Sequence, residues 1–346
     1  MHPYKYKCWF VIQCLFLYAD SDLKALEKAV RRRKQHAFRP GTRENQRSQM
    51  VLFISFCTYF TLEYVNPSEK TLCLYAEFLA RSFKSPRTIR NYISGIRLLH
   101  KYISVNCTSL HSFDLDLILR ALDLTMQHMP NQRIPIDTQT LKDICSICDS
   151  LGGIGTVCKV GFLFGYFGFL RQSNLAPKRA TEFDPKRHTC RGDILFHPPG
   201  LVILIKWTKT IQRGQCTPLI PLPVIKGNPL CPYRAYKDML AISPTVTANS
   251  PLLQLPGTGH GSKTMTVSQL SHVFREIMHR LGYPKHLYSL HSLRAGGATS
   301  AYHAGVDFMH IKRHGTWKSD CFWSYIASQP VQNSPVAHAL ALSALT

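Results

Sequence analysis

The sequence predicts a mainly α-helical protein with a small antiparallel sheet, an α+β fold in which a helical bundle precedes a larger mixed domain. Apolar residues recur at helical spacing through residues 42–127. Short runs rich in β-branched residues, bounded by glycine and proline, lie between residues 193 and 224 and predict the strands. Breaker residues at 129–135 separate the two regions, and 346 residues are enough for two hydrophobic cores.

The charge of the chain indicates a polyanionic partner. Lysine and arginine number 42 against 20 acidic residues, so the formal net charge is +22. Such a charge favours nucleic acid first and an anionic membrane surface second. A hydrophobic content of 45% excludes a disordered basic tail, because that much apolar surface can offset the entropy of folding.

Composition shifts divide the chain into four predicted segments: a basic extension at 1–41, a helical domain at 42–129, a linker at 130–135 and a second domain at 136–346. The extension begins with an apolar stretch that is too short to span a bilayer, so no membrane association is expected. The basic run from Arg31 to Lys34 is consistent with a nuclear signal.

The twelve cysteines are spread over a long chain, which favours a reduced intracellular protein over a disulfide scaffold. Cys145 and Cys148 form one C-x-x-C pair, but they fall within a helical pattern and no second pair accompanies them. The sequence therefore predicts no metal site.

The helical domain carries start signals and one basic face. Ser68 is suited to cap a helix over 69–83, and the proline of 85–87 opens a helix that continues to residue 102. A further helix is predicted at 114–126. Arg87, Arg90 and Arg97 lie opposite the apolar face of the second helix, and we expect them to contact DNA.

The second domain mixes both element types. Its predicted strands cover 193–196, 201–208 and 217–224, the last placed at an edge because prolines cannot complete a ladder. Its predicted helices cover 137–150, 156–172, 233–240, 267–281, 292–304 and 307–314.

Several residues of the second domain occur in a recognisable order. His291-x-x-Arg294 opens a predicted helix, and Trp317 and Tyr325 follow it. Upstream, Arg171 ends a buried glycine-rich helix and Lys209 lies in the turn after the second predicted strand. In these motifs the chain resembles the tyrosine recombinase (phage integrase) family over roughly residues 45–328. The pattern around Trp317 is most similar to recombinases of DIRS and Crypton mobile elements.

The resemblance implies a SAM-like helical core-binding domain followed by a tyrosine recombinase catalytic domain. It also implies site-specific cleavage and rejoining of double-stranded DNA through a 3′-phosphotyrosyl intermediate, without cofactor or metal. Strand exchange in this family uses several protomers, so a homo-oligomer, from dimer to tetramer, is expected on DNA. We expect it to act in the nucleus.

The residue types suit that chemistry. Arg171 and Arg294 can clamp a phosphate, since a guanidinium forms paired hydrogen bonds and keeps its proton at neutral pH. Tyr325 would attack phosphorus, with His291 accepting its proton. Lys209 would protonate the leaving 5′ oxygen, and the Trp317 indole N–H would bond a phosphate oxygen.

Two departures from the family pattern leave alternatives open. Asn174 stands where the family often has an acid, and only eight residues separate Trp317 from Tyr325, one fewer than usual. A DNA-binding protein that keeps the fold without cutting is one alternative, and a topoisomerase-like nicking enzyme is another. Residues 257–264 approach a P-loop, but Ser262 replaces a required glycine.

Overall fold

The computed structural model describes residues 20–126, 133–207, 217–244, 247–256, 263–317, 319 and 322–326. Residues 20–22, 35, 40, 324 and 325 are described by their backbone alone. The chain divides into two units, Met1–Pro130 and Asn131–Thr346. No helix in the described residues is both long enough and apolar enough to cross a membrane.

The first unit is helical throughout its described part. Local signals set its helix starts: Ser68 Oγ accepts a hydrogen bond from the Thr71 amide at 3.1 Å, and Ser112 caps the last helix in the same way. Proline occupies the first turn of the fourth helix, where its missing N–H costs nothing. The helices are α1 (Asp20–Gln35), α2 (Pro40–Tyr59), α3 (Glu69–Ser82), α4 (Pro86–Tyr102) and α5 (Phe113–Thr125), with a 3-10 turn at Thr108–His111.

The second unit is built around one apolar helix, α7 (Gly152–Phe167). Most of its side chains are buried, and it packs against the helices before and after it. Asp137 caps the preceding helix, accepting from the Thr140 amide at 2.7 Å. The other helices are α6 (Thr138–Ser150), α8 (Gln172–Leu175), α9 (Pro232–Ile242), α10 (Val267–Arg280), α11 (Leu290–His303), α12 (Phe308–His314) and α13 (Trp323–Ile326).

The expected small sheet is antiparallel and three-stranded. Its strands are β1 (Ile194–His197), β2 (Gly200–Leu204) and β3 (Leu219–Pro223), in that order across the sheet. The register places Ile203 between Ile194 and Ile220, and all three are buried. The proline-rich strand β3 lies at an edge, as predicted.

The buried helix ends five residues earlier than the sequence predicts. α7 stops at Phe167, and Phe169 then takes a positive φ of 47°, a conformation that breaks the helix. α7 packs closely against α11 just before the break, since a Cβ added to Gly297 would lie 2.0 Å from the Tyr166 carbonyl oxygen. The prediction that Arg171 ends the buried helix is therefore wrong. Arg171 directly precedes the short helix α8.

A second, two-stranded ribbon was not predicted. β4 (Gln254–Leu255) pairs with β5 (Lys263–Thr264), so the P-loop-like residues 257–264 end in a strand. A P-loop requires a helix at that point, because the helix N-terminus binds phosphate. The ribbon thus removes the P-loop interpretation, although residues 257–262 lie outside the described part.

The end of the predicted linker is bonded to the second unit. The Ile134 amide donates to the Leu287 carbonyl at 3.1 Å, and the Ile136 amide donates to the Ser292 carbonyl at 3.1 Å. Residues 133–136 therefore run beside the start of α11.

Candidate active site

A buried arginine forms the centre of the candidate site. Arg294 lies in α11, one turn after His291, and is 2% exposed. Its guanidinium donates to the carbonyl oxygen of Phe169 and, at 2.7 Å, to that of Gly315. The guanidinium carbon lies 4.0 Å from the centre of the Trp317 ring, a cation–π distance. These contacts hold in place a charge that is shielded from bulk water and so acts strongly on an anion.

The second arginine reaches the same loop. Arg171 Nη1 donates to Thr316 Oγ1 at 3.3 Å, and Thr316 lies between Gly315 and Trp317. Thr316 takes a positive φ of 54°, which is uncommon for a residue with a Cβ. Arg171 and Arg294 are far apart in sequence, yet both are hydrogen-bonded to residues 315–316.

A neutral histidine accompanies the two arginines. His291 begins the same helix as Arg294, and the residue keeps solvent exposure. Partial burial and the positive charges of Arg294, Arg171 and Arg133 lower the pKa of His291 to about 4. The imidazole is therefore neutral at pH 7 and able to accept a proton.

An aromatic cluster connects the site to the last described helix. Trp317 is 6% exposed, and its ring centre lies 6.0 Å from those of Phe169 and Phe322. Phe322 and Ile326 are buried in the same cluster, on either side of Tyr325 in the chain. Tyr325 belongs to α13, but its side chain lies outside the described part, so its assignment as nucleophile stays a prediction.

Known proteins share this arrangement of elements. The "Integrase/recombinase xerD homolog" of Selenomonas ruminantium is 24% identical over 277 residues, which are 78% of this chain and 75% of the relative. The Tn1549 transposon integrase in complex with transposon right end DNA aligns with a TM-score of 0.59 at 13% identity, covering 91% of this chain and 98% of that one. The chain has the tyrosine recombinase fold.

Two further solved structures agree. A lambda integrase dimer bound to a COC′ core site has a TM-score of 0.57 at 12% identity, covering 89% of this chain and 78% of that one. XerH bound to a palindromic difH substrate, a post-cleavage complex, has a TM-score of 0.55 at 14% identity, covering 80% and 72%. No family model matches the sequence. The similarities support the tyrosine recombinase/integrase family.

Lys209, the predicted general acid, lies outside the described residues. Its neighbour Lys206 is bonded elsewhere, with Nζ 2.7 Å from Asp193 Oδ2. Although burial opposes the charge, the hydrogen bond and charge of Asp193 raise the pKa of Lys206. Asn174, 3% exposed, donates through Nδ2 to the Trp207 carbonyl at 2.8 Å. Asn174 thus holds the backbone at Trp207, two residues before Lys209 in the chain.

The three arginines proposed for DNA binding in the first unit differ in their contacts. Arg90 Nε lies 3.1 Å from Asp123 Oδ2, and this hydrogen bond and charge raise the arginine pKa despite partial burial. Arg97 Nη2 donates to the Leu110 carbonyl at 3.0 Å. Both therefore tie α4 to neighbouring segments, whereas Arg87 is exposed.

Sequence reasoning overlooked two residues that the tyrosine recombinase fold brings to the site. Thr316 is the hydroxyl partner of Arg171, and Arg133 contributes positive charge at His291. The position of Thr316 directly before Trp317 could have identified it as a site residue. Arg133 had none, because it lies in a predicted linker and its proximity to His291 arises from the pairing of residues 134–136 with 287–292.

Proposed function

We propose that the protein is a tyrosine recombinase that cleaves and rejoins DNA strands at a specific site. The observation that carries this proposal is the convergence of Arg171 and Arg294 on residues 315–316, with a neutral His291 one turn from Arg294. Two fixed guanidinium groups suit a phosphodiester, whose negative charge grows as a nucleophile attacks. The fold and the net charge of +22 support the same conclusion.

The proposed reaction conserves the number of phosphoester bonds. The Tyr325 phenol oxygen attacks phosphorus and loses its proton to the His291 imidazole, so that a 3′-phosphotyrosyl bond forms. The bond from phosphorus to the 5′ oxygen breaks, and Lys209 protonates that oxygen. Arg171 and Arg294 bind the nonbridging oxygens of the phosphate. Trp317 packs against Arg294 and donates its indole N–H to a phosphate oxygen. The reverse attack by a 5′ hydroxyl of another strand completes rejoining.

The proposed partners are double-stranded DNA and further copies of the chain. Three structures with this fold are complexes with DNA: the lambda integrase dimer, XerH and the Tn1549 integrase. We extend DNA binding and self-assembly to this chain, with two to four copies on DNA.

The origin in a DIRS- or Crypton-like mobile element and the nuclear location are likewise proposals. Expression of a tagged full chain in nucleated cells tests the location, which secretion or membrane retention would refute.

Covalent trapping tests the proposed chemistry. The full chain is incubated with nicked duplexes tiling the DNA that flanks its gene, both with and without a chelator. We expect a denaturant-resistant protein–DNA adduct that forms in either condition and is absent from Tyr325→Phe. Tyr59→Phe is the matched control, because Tyr59 is 81% exposed in the other unit.

A non-cutting DNA-binding protein is the second candidate function. It is favoured by Asn174, which donates to a backbone carbonyl where the family often has an acid, and by the short spacing from Trp317 to Tyr325. Salt-sensitive DNA binding without an adduct, in a reaction where a control recombinase is trapped, would select this candidate. Relaxation of supercoiled plasmid without a paired site would instead select a topoisomerase-like enzyme.

A further inference from the structure

Arg133 is held beside the start of α11 by backbone and side-chain bonds. Its Nη1 donates to the His286 carbonyl, and the following residue, Ile134, pairs with Leu287. Ile136 approaches α11 so closely that a Cβ on Gly296 would lie 2.0 Å from the Ile136 carbonyl oxygen. This close packing fixes residues 133–136 against the segment that carries His291.

The position of Arg133 leaves the site with a concentration of positive charge. The charged groups that act on His291 are Arg294, Arg171 and Arg133, and each lowers its pKa. Three positively charged guanidinium groups that act on one neutral imidazole make this face of the second unit attractive to an anion such as a phosphate.

We propose that Arg133 is a third phosphate-binding arginine of the site, which contacts the DNA strand held by Arg171 and Arg294. The inference rests on the proposed function, because it assumes that this face of the second unit receives DNA. Arg133 is partly buried, and its bond to the His286 carbonyl orients the guanidinium before DNA arrives. Its target is the scissile phosphate or the phosphate next to it.

The salt dependence of DNA binding provides a test that does not require catalysis. Each lost phosphate contact reduces the slope of log K against log salt by about 0.9. We expect this reduction for Arg133→Gln with a 30-base-pair duplex of mixed sequence, and not for Arg133→Lys. Glutamine removes the charge and lysine keeps it, so a purely structural role, which does not depend on the charge, predicts a wild-type slope for Arg133→Gln.

A matched control is Arg234→Gln, since Arg234 is exposed in the same unit and paired with Asp238. Its slope should equal that of the wild type. A slope for Arg133→Gln equal to that of the control would overturn the proposal. If wild type forms no adduct while the Arg133 slope still falls, the proposed catalysis fails and the phosphate contact stands.

Neutral phosphates then distinguish the two targets. In a duplex that traps the wild type, a methylphosphonate replaces the scissile phosphate or one neighbouring phosphate at a time. Binding is measured with and without Arg133→Gln, and both proteins also carry Tyr325→Phe to prevent cleavage. At the one phosphate that Arg133 contacts, the methylphosphonate should cause no further loss of affinity in the Arg133→Gln protein, because that contact is already missing. If every position weakens both proteins equally, Arg133 does not contact these phosphates.

Discussion

The Arg294 guanidinium stacks on the Trp317 ring at 4.0 Å while donating to the Gly315 carbonyl at 2.7 Å. The ring and the carbonyl belong to one short loop, which also supplies the Thr316 hydroxyl to Arg171. The orientation of both arginines therefore depends on the conformation of this loop. A change in this loop should therefore disturb both arginines at once.

Substitution of Gly315 should disturb the arginines through the tryptophan. A Cβ at Gly315 would lie 1.8 Å from Trp317 Cζ3, so the ring must move away from Arg294. We expect Gly315→Ala to lower the free energy of unfolding by about 1–3 kcal/mol, as overpacking does. Adduct formation should fall as well. Gly41→Ala is the control because a Cβ there meets nothing within 4 Å; equal urea midpoints for the two variants would contradict the prediction.

The low pKa of His291 predicts a pH dependence of stability. The imidazole has a pKa of about 4 in the folded protein and an ordinary value of 6.5. Well above pH 6.5 it is therefore uncharged in both the folded and the unfolded protein. As pH falls from 6.5 towards 4, the unfolded chain binds the proton first and the folded state loses stability. His291→Gln should show a weaker pH dependence in this window. Urea unfolding between pH 4 and 7 measures the difference.

DNA should raise the pKa of His291. A bound phosphate offsets the charges of Arg171, Arg294 and Arg133, which lower the pKa in the free protein together with burial. Proton uptake on binding should therefore appear between pH 4 and 6.5 in calorimetry with buffers of different ionisation enthalpy. His291→Gln should abolish most of it. An unchanged uptake in that variant would place the titrating group elsewhere.

Asn174 should act through Lys209. Asn174→Asp removes the donor to the partly buried Trp207 carbonyl, a loss of about 1–3 kcal/mol in stability. If this bond positions Lys209, cleavage slows for an ordinary substrate but recovers when the leaving 5′ oxygen is replaced by sulfur, which leaves without a proton. Ser173→Ala, at an exposed neighbouring position, is the control. A rate loss that the sulfur substrate does not restore would assign Asn174 a role in folding alone.

The first-unit arginines should separate into structural and DNA-contacting residues. Arg90→Ala and Arg97→Ala remove bonds to Asp123 and Leu110, so thermal unfolding should shift to lower temperature. Arg87→Ala should leave the midpoint unchanged and reduce the salt slope of DNA binding by about 0.9. A destabilised Arg87→Ala with an unchanged slope would reverse this assignment.

Local patterns predicted most helices of this protein. Ser68 caps a helix as its position indicates, because a cap depends only on residues within one turn. The end of α7 was not predicted, because the apolar pattern continues past it and gives no sign of the positive φ that Phe169 adopts. The β4–β5 ribbon was not predicted, because strands of two residues carry no periodic signal.

The sequence by itself determined the residue types of the site, their order along the chain and the helix that carries His291 and Arg294, since these depend on local spacing. Only the tertiary structure decided that Arg171 and Arg294 meet at residues 315–316, that Arg90 pairs with Asp123 and that Arg133 lies near His291. Such contacts arise from packing between distant segments, and a charged residue on a helix face gives no local sign of its partner.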